Sequence, residues 1–408
     1  MKFNCLIAQS GGPTAAINST LAGIYSAACR NASIGKVYGG LNGIEGVING
    51  RVINLGSILS EYGNLFVLKI TPSSFLGSCR YKLKSCAENE DDYKKIFDIF
   101  DKYNIKYFFY IGGNDSMDTI LKLKEYQDKN PHGVMLIGVP KTIDNDLMCV
   151  DHTPGFGSAA KYIATTVKEI AYDTAVYNMD SIVVVEIMGR NAGWLTLSAG
   201  LARDNSGRTL ADLIYIPENP FDYDKLMSDI KNVQKEKRQI VIAVSEGIRF
   251  SDGKLVAESE QKDAFGHGQL GGAAKTVSEY IKEQLGVKVR AVEINVSQRC
   301  AAHCLSLTDI NESFKIGEVA VDAAAQGLSG VMVTNNRKEG NEYRLEYSYS
   351  DIASIANMEK TVPENYMNIE KNNISQDGLN YLIPLVKGEV KLLHKDGVPM
   401  YLNIKDFI

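Results

Sequence analysis

The sequence predicts an α/β chain of two doubly wound, mostly parallel-sheet lobes with the active site in the crevice between them, on three observations. Short apolar runs alternate with longer amphipathic stretches, the rhythm of βαβ units, because parallel strands need a crossover that is usually helical. Each of these runs is near-continuously apolar, as strands covered on both faces are. The 408 residues exceed what one hydrophobic core usually spans, so two domains and an appended element are expected.

Taken in order, strands are expected over residues 4–8, 107–111, 134–138, 182–187, 240–244, 289–294 and 330–333. Helices are expected over 15–29, 91–102, 116–129, 158–176, 192–201, 223–236, 273–285 and 314–326, with loops rich in Gly, Asn, Asp and Pro between them. Residues 1–150 form the first expected lobe and 151–337 the second, part of which crosses back to the first. After Asn335 the βα rhythm gives way to EYSYSDIA, EKNN and HKDG, so 338–408 is read as a C-terminal extension packed across both lobes.

Composition narrows the function. A hydrophobic share of 45% with 23% charged residues is that of a folded globular chain, not a disordered or fibrous one. Lys and Arg number 44 against 49 Asp and Glu, a net charge of -5, so no global basic field draws nucleic acid or anionic membrane. Any anionic ligand must be held by local cations. The N-terminal run is short and lacks a small-residue cleavage pattern, and no 18-residue apolar stretch occurs, so neither a signal peptide nor a membrane span is expected. Seven scattered cysteines without a CxxC pair suit a cytoplasmic chain of reduced thiols.

Doubly wound sheets bind ligands at the carboxyl ends of their strands, so the loops there are where chemistry is sought. After the first strand, Ser10-Gly11-Gly12-Pro13 lets backbone N–H groups and a helix N-terminus approach an anion. The dinucleotide fingerprint GxGxxG is missing there, which counts against a nicotinamide enzyme. Gly112-Gly113-Asn114-Asp115-Ser116 repeats the strand, Gly-Gly, helix pattern with an acidic group beside it, which suits a Mg2+ bridging carboxylate and phosphate. Asp115 or Ser116 as a plain helix cap is the competing reading. In Pro140-Lys141-Thr142-Ile143-Asp144-Asn145-Asp146 the two aspartates stand two apart, so an extended segment projects both to one side. One can accept a proton while the other binds metal or orients a hydroxyl. Met188-Gly189-Arg190 places a guanidinium where a strand gives way to a helix, Ser245-Glu246-Gly247 follows another strand, and Arg290 and Arg299 flank a further one. His267, in a Gly-rich turn, is read as a hydrogen-bonding or structural residue, and Trp194 as core.

The order and spacing of these loops over residues 3–334 resemble the phosphofructokinase family, whose signature SGG, GGxD/N, PxTIDND, VVEVMGR, EG and an Arg nine before a QR is met by Ser10 to Gly12, Gly112 to Asp115, Pro140 to Asp146, Val184 to Arg190, Glu246-Gly247, Arg290 and Gln298-Arg299. The resemblance implies Mg2+-dependent phosphorylation of the 1-hydroxyl of fructose 6-phosphate, with ATP or diphosphate as donor. It makes 1–150 the donor lobe and 151–337 the sugar lobe. Asp144 is then the base, Asp146 helps hold the sugar hydroxyl and metal, Thr142 donates to the transferring phosphoryl, and Arg190 balances charge. Met188, Gly189 and Glu246 would contact the sugar and Arg290 and Arg299 its 6-phosphate. Gly11, Gly12, Gly113, Asn114, Asp115 and Lys141 would line the donor site, with Arg80 of Phe75-Leu76-Gly77-Ser78-Cys79-Arg80 on the donor phosphate.

ATP-using members commonly carry Gly in place of Asp115 and of Lys141, so both positions match the diphosphate-dependent branch. Asn114 stands where the family often has a metal-facing Asp, which leaves the Mg2+ ligands open among Asn114, Asp115 and Asp146. Ser181 and Val296 replace residues of cross-subunit sites, and Ala22 and Ser26 replace effector arginines, so no strong allosteric activation is expected. A homodimer or homotetramer is the expected assembly.

Overall fold

The computed structural model describes residues 2–257, 272–340 and 342–408; His267 lies outside them. The chain opens with strands β1 (Phe3–Gln9), β2 (Ile34–Gly40), β3 (Val52–Asn54), β4 (Ile105–Gly112) and β5 (Met135–Pro140). It then builds a second sheet from β6 (Ser181–Ile187), β7 (Leu213–Tyr215), β8 (Gln239–Ser245) and β9 (Lys288–Glu293), before β10 (Val331–Arg337) and β11 (Leu345–Asp351) return to the first. The larger sheet runs β11-β10-β5-β4-β1-β2-β3, parallel except for its two outermost pairs. The smaller runs β7-β8-β6-β9 and is wholly parallel.

Strand order reverses between β1 and β4 in one sheet and around β6 in the other, and such reversals open clefts at the strands' carboxyl ends. The two Gly-Gly loops follow β1 and β4, and the loops carrying Arg190, Glu246 and Arg299 follow β6, β8 and β9.

Helix Ala15–Arg30 is buried along nearly its whole length because it lies between the larger sheet and helix Leu307–Ala325. The two helices meet at small residues: a side chain on Gly23 would strike the carbonyl of Phe314 at 2.0 Å, and one on Gly317 that of Thr20 at 2.3 Å. Helix Leu307–Ala325 begins seven residues earlier than expected, since Ser306 caps it through the amide of Asp309. Together with β10 it packs on the first sheet, so the C-terminal part of 151–337 belongs structurally to the first lobe.

Two further expectations are corrected. The stretch 192–201 is a short helix Trp194–Leu197 followed by a 3-10 turn, not one continuous helix. β9 is an edge strand with most of its residues exposed, so its apolar residues do not mark a strand covered on both faces. The segment after Arg337 contributes β11 to the first sheet and sends Ile352 and Ile355 into the first lobe's core. Val362, Met367, Leu379 and Leu382 enter the core around Trp194.

A buried ionic cluster ties these parts together. His152 lies 2.9 Å from Asp151 and 2.7 Å from Glu312, Arg337 donates to Asp151 at 3.0 Å, and Tyr343 donates to Glu312. Burial opposes the imidazolium, but hydrogen bonds to both carboxylates push His152 up to about 9. Its folded pKa exceeds the unfolded value near 6.5, so its stabilisation is complete below pH 6.5 and fades as pH rises toward 9. Between pH 6.5 and 8 the loss is on the order of 2 kcal/mol. In urea melts, His152→Gln is expected to be less stable than the parent at pH 6.5 and to close part of that gap by pH 8; a constant gap would refute the assignment.

Candidate active site

The donor side is built from the ends of β1 and β4. Ser10-Gly11-Gly12 turns into helix Ala15–Arg30, and Gly113 leads into helix Asn114–Lys129. A chamber of about 600 Å³ opens there, lined by Gly11, Gly12, Arg80, Gly113, Asn114, Asp115 and Lys141. Lys141 is buried at the end of β5 and its Nζ donates to the carbonyl of Gly12 at 2.7 Å. Gly11 has φ +77°, and a side chain there would come within 3.0 Å of that Nζ. Burial lowers Lys141 to about 8 against the opposing pull of Asp144 and Asp146. Asp115 is exposed at the chamber mouth, 3.6 Å from Lys82.

A second chamber of about 850 Å³ shares a wall with the first. Thr142, Asp144, Asp146, Lys141 and Arg299 line both, while Met188, Arg190 and Glu246 line only the larger. Thr142 Oγ1 donates to Asp144 Oδ2 at 3.2 Å and accepts the Asp144 N–H at 3.1 Å, which fixes the carboxylate. Both aspartates reach the crevice as expected, but not through an extended backbone. Asn145 between them takes φ 55° and turns inward, where Tyr381, Thr153 and Lys360 hold it.

Burial raises the Asp144 carboxyl above the usual range, opposed by Thr142, Lys141 and Arg299. Burial, then the charges of Asp144 and Glu359, push Asp146 up to about 7. Two aspartates this close exchange protons as a pair. Asn114 Oδ1 and Asp146 Oδ1 are both buried without a hydrogen-bond partner. Orphaned oxygens flanking an anion chamber fit Mg2+, which takes few protein ligands and keeps waters and substrate phosphates. Asp115, exposed and facing Lys82, fits that role less well.

A sequence model described as Phosphofructokinase matches residues 4–324. The chain belongs to the phosphofructokinase family. A relative from Methylococcus capsulatus, named pyrophosphate–fructose 6-phosphate 1-phosphotransferase, is 39% identical over 404 residues, covering 98% of this chain and 96% of its own. One of the same name from Halomonas elongata is 38% identical, covering 98% and 95%. The solved structure of a pyrophosphate-dependent phosphofructokinase from Nitrosospira multiformis superposes with a TM-score of 0.88 at 36% identity, covering 98% of this chain and 95% of its own.

Two residues that the family resemblance assigned to substrate line neither chamber. Arg290 is the third residue of β9, toward its amino end, whereas the crevice lies at the carboxyl ends. It is half exposed, pairs with Asp173 at 3.4 Å, and lines neither chamber. Gly189 does not line the crevice either; its N–H donates to Glu246 Oε1 at 3.2 Å and so holds that carboxylate. Conversely, Asn357, Met358 and Glu359 of the C-terminal extension line the larger chamber, unmarked by any pattern in the sequence. The carbonyl of Met358 accepts from Asn114 Nδ2 at 2.8 Å, and Glu359 accepts from Asn191 at 3.2 Å. The first of these contacts turns Asn114 Oδ1 away from Met358.

Proposed function

We propose that the chain catalyses reversible, Mg2+-dependent transfer of a phosphoryl group from inorganic diphosphate to the 1-hydroxyl of fructose 6-phosphate. One observation carries the choice of donor: the buried Lys141 ammonium against Gly12, at the wall shared by the two chambers. A point charge there meets the outer phosphate of a short donor, and the Asp115 carboxylate at the mouth repels a longer anion.

The sugar lies in the larger chamber, its 6-phosphate on Arg299 and its hydroxyls on Glu246 and Met188. Asp144 takes the proton as the 1-oxygen attacks phosphorus. The bridging P–O bond breaks and phosphate leaves toward Arg80 and Lys141. Thr142 and Arg190 face the transferring group, where preorganised donors matter most because charge spreads over its oxygens. Bound Mg2+, held by Asn114 and Asp146, would neutralise charge on the donor phosphates. The family relation and the exposed Arg290 on an edge strand support a homodimer or homotetramer. Ala22 is buried and Ser26 accepts from Arg30, so neither offers a cation to an effector phosphate, which supports an enzyme without strong nucleotide activation. None of the helices described is long and apolar enough to cross a membrane.

The reading is tested by assaying the purified chain with Mg-diphosphate and with Mg-ATP. Diphosphate is expected to give the greater kcat/KM by at least about a hundredfold. Comparable turnover with ATP would replace it by an ATP-dependent phosphofructokinase, and no turnover with either by a sugar-phosphate-binding subunit.

A further inference from the structure

We propose that Lys360, supplied by the C-terminal extension, is a positioning residue for the turn that carries Asp144 and Asp146. The inference rests on the phosphoryl-transfer reading above and assigns the extension a part in it. Lys360 grips that turn at two levels. Its backbone N–H donates to the carbonyl of Asp146 at 2.7 Å. Its Nζ donates to Asn145 Oδ1 at 3.3 Å and to the carbonyls of Val150 at 3.0 Å and Asp151 at 2.9 Å. An ammonium has three N–H donors, so all are committed to this one loop.

The far side of Lys360 is fixed just as firmly. Its carbonyl accepts from Trp194 Nε1 at 3.0 Å, and its Nζ lies 5.1 Å from the centre of the same indole. Trp194 is buried in the core of the second lobe, so the lysine braces the turn against a rigid wall. Asn145 needs bracing because it holds a left-handed φ of 55° between the two aspartates. Its Nδ2 donates to Tyr381 Oη at 2.9 Å, and Tyr381 Oη donates to the carbonyl of Asp151 at 2.7 Å, so a second group from the extension closes the clamp. Lys360 is not among the residues lining either chamber. It acts through Asn145 and the Asp146 backbone, and a displacement of about 1 Å in the attacking geometry is enough to cost roughly a hundredfold in rate.

The test compares the full-length parent with Lys360→Met, which keeps the stem and removes the charge, and with Tyr381→Phe, which keeps the ring. The measurements are kcat with Mg-diphosphate, fructose 6-phosphate affinity by calorimetry, and thermal midpoint. Lys360→Met is expected to lower kcat at least tenfold while the sugar-phosphate Kd stays within about threefold. Tyr381→Phe is expected to lower kcat about threefold or more with the same unchanged Kd. A Lys360→Met kcat within threefold of the parent would overturn the proposal. So would a loss of kcat that tracks equal losses of affinity and thermal midpoint in both variants. If Lys360→Met does not fold, Tyr381→Phe decides alone on the same criteria. A parent that uses ATP and not diphosphate refutes the donor reading, and the same comparison run with ATP then decides the role of Lys360.

Discussion

Asp144→Ser is expected to lower kcat by about a thousandfold or more while fructose 6-phosphate still binds within about threefold of the parent affinity. In the proposed mechanism the carboxylate is the base, and removing a positioned base costs roughly 10²–10⁴ in rate. Binding is expected to survive because Glu246, held by Gly189, and Arg299, the proposed sugar contacts, line the chamber from other loops. Serine leaves Thr142 without its acceptor but cannot take up the proton. Stopped-time assays beside calorimetry separate the two effects, and turnover within tenfold of the parent would remove Asp144 from the mechanism. The parent's pH dependence bears on the same point. Burial raises both Asp144 and Asp146, the latter to about 7, and a base must be ionised to act. The rate is therefore expected to fall as pH drops, beginning at a higher pH than an ordinary exposed carboxylate would give.

Much of this site could be read from the sequence because its loops sit where apolar strands end. A Gly-Gly pair between a buried strand and a helix has one geometric place in a doubly wound sheet, so Gly11, Gly12 and Gly113 could be positioned without coordinates. Arg290 could not. Its spacing from Arg299 shows that a strand lies between them but not which end faces the crevice, and in the fold Arg290 stands toward the amino end. β2 carries little strand signal because Gly39 and Gly40 make its second half look like a turn, although it pairs with β1 through Gly40. The wall formed by Asn357, Met358 and Glu359 left no trace because the Met358 contact to Asn114 runs through a backbone carbonyl, which every residue type carries. The spacing of the paired aspartates predicts that both reach the crevice, and they do, but without the extended backbone that prediction assumes. What aims them is the left-handed Asn145 and its clamp, a tertiary effect that spacing alone does not encode.

Donor selection should respond most strongly to Lys141. Lys141→Gly is expected to lower kcat/KM for diphosphate by about a hundredfold or more, since it removes a buried cation whose partner charges, Asp144 and Asp146, remain in place. Lys141→Met separates charge from room: it keeps most of the volume, so a comparable loss with diphosphate identifies the ammonium as the active feature. Asp115→Gly acts at the exposed mouth, where its only cationic neighbour among the described ion pairs is Lys82 at 3.6 Å, so a loss of about tenfold or less with diphosphate is expected. Its larger effect is on ATP, because removing the carboxylate clears both bulk and like charge from the path of a nucleotide's inner phosphate. The double variant Asp115→Gly, Lys141→Gly combines the open mouth with the space beside Gly11 that Nζ fills in the parent, and it is expected to shift the ratio of diphosphate to ATP efficiency by at least about a thousandfold. Steady-state assays of all four variants with both donors measure that ratio. If it stays within threefold of the parent's in every one, neither the carboxylate at the mouth nor the lysine at the shared wall selects the donor.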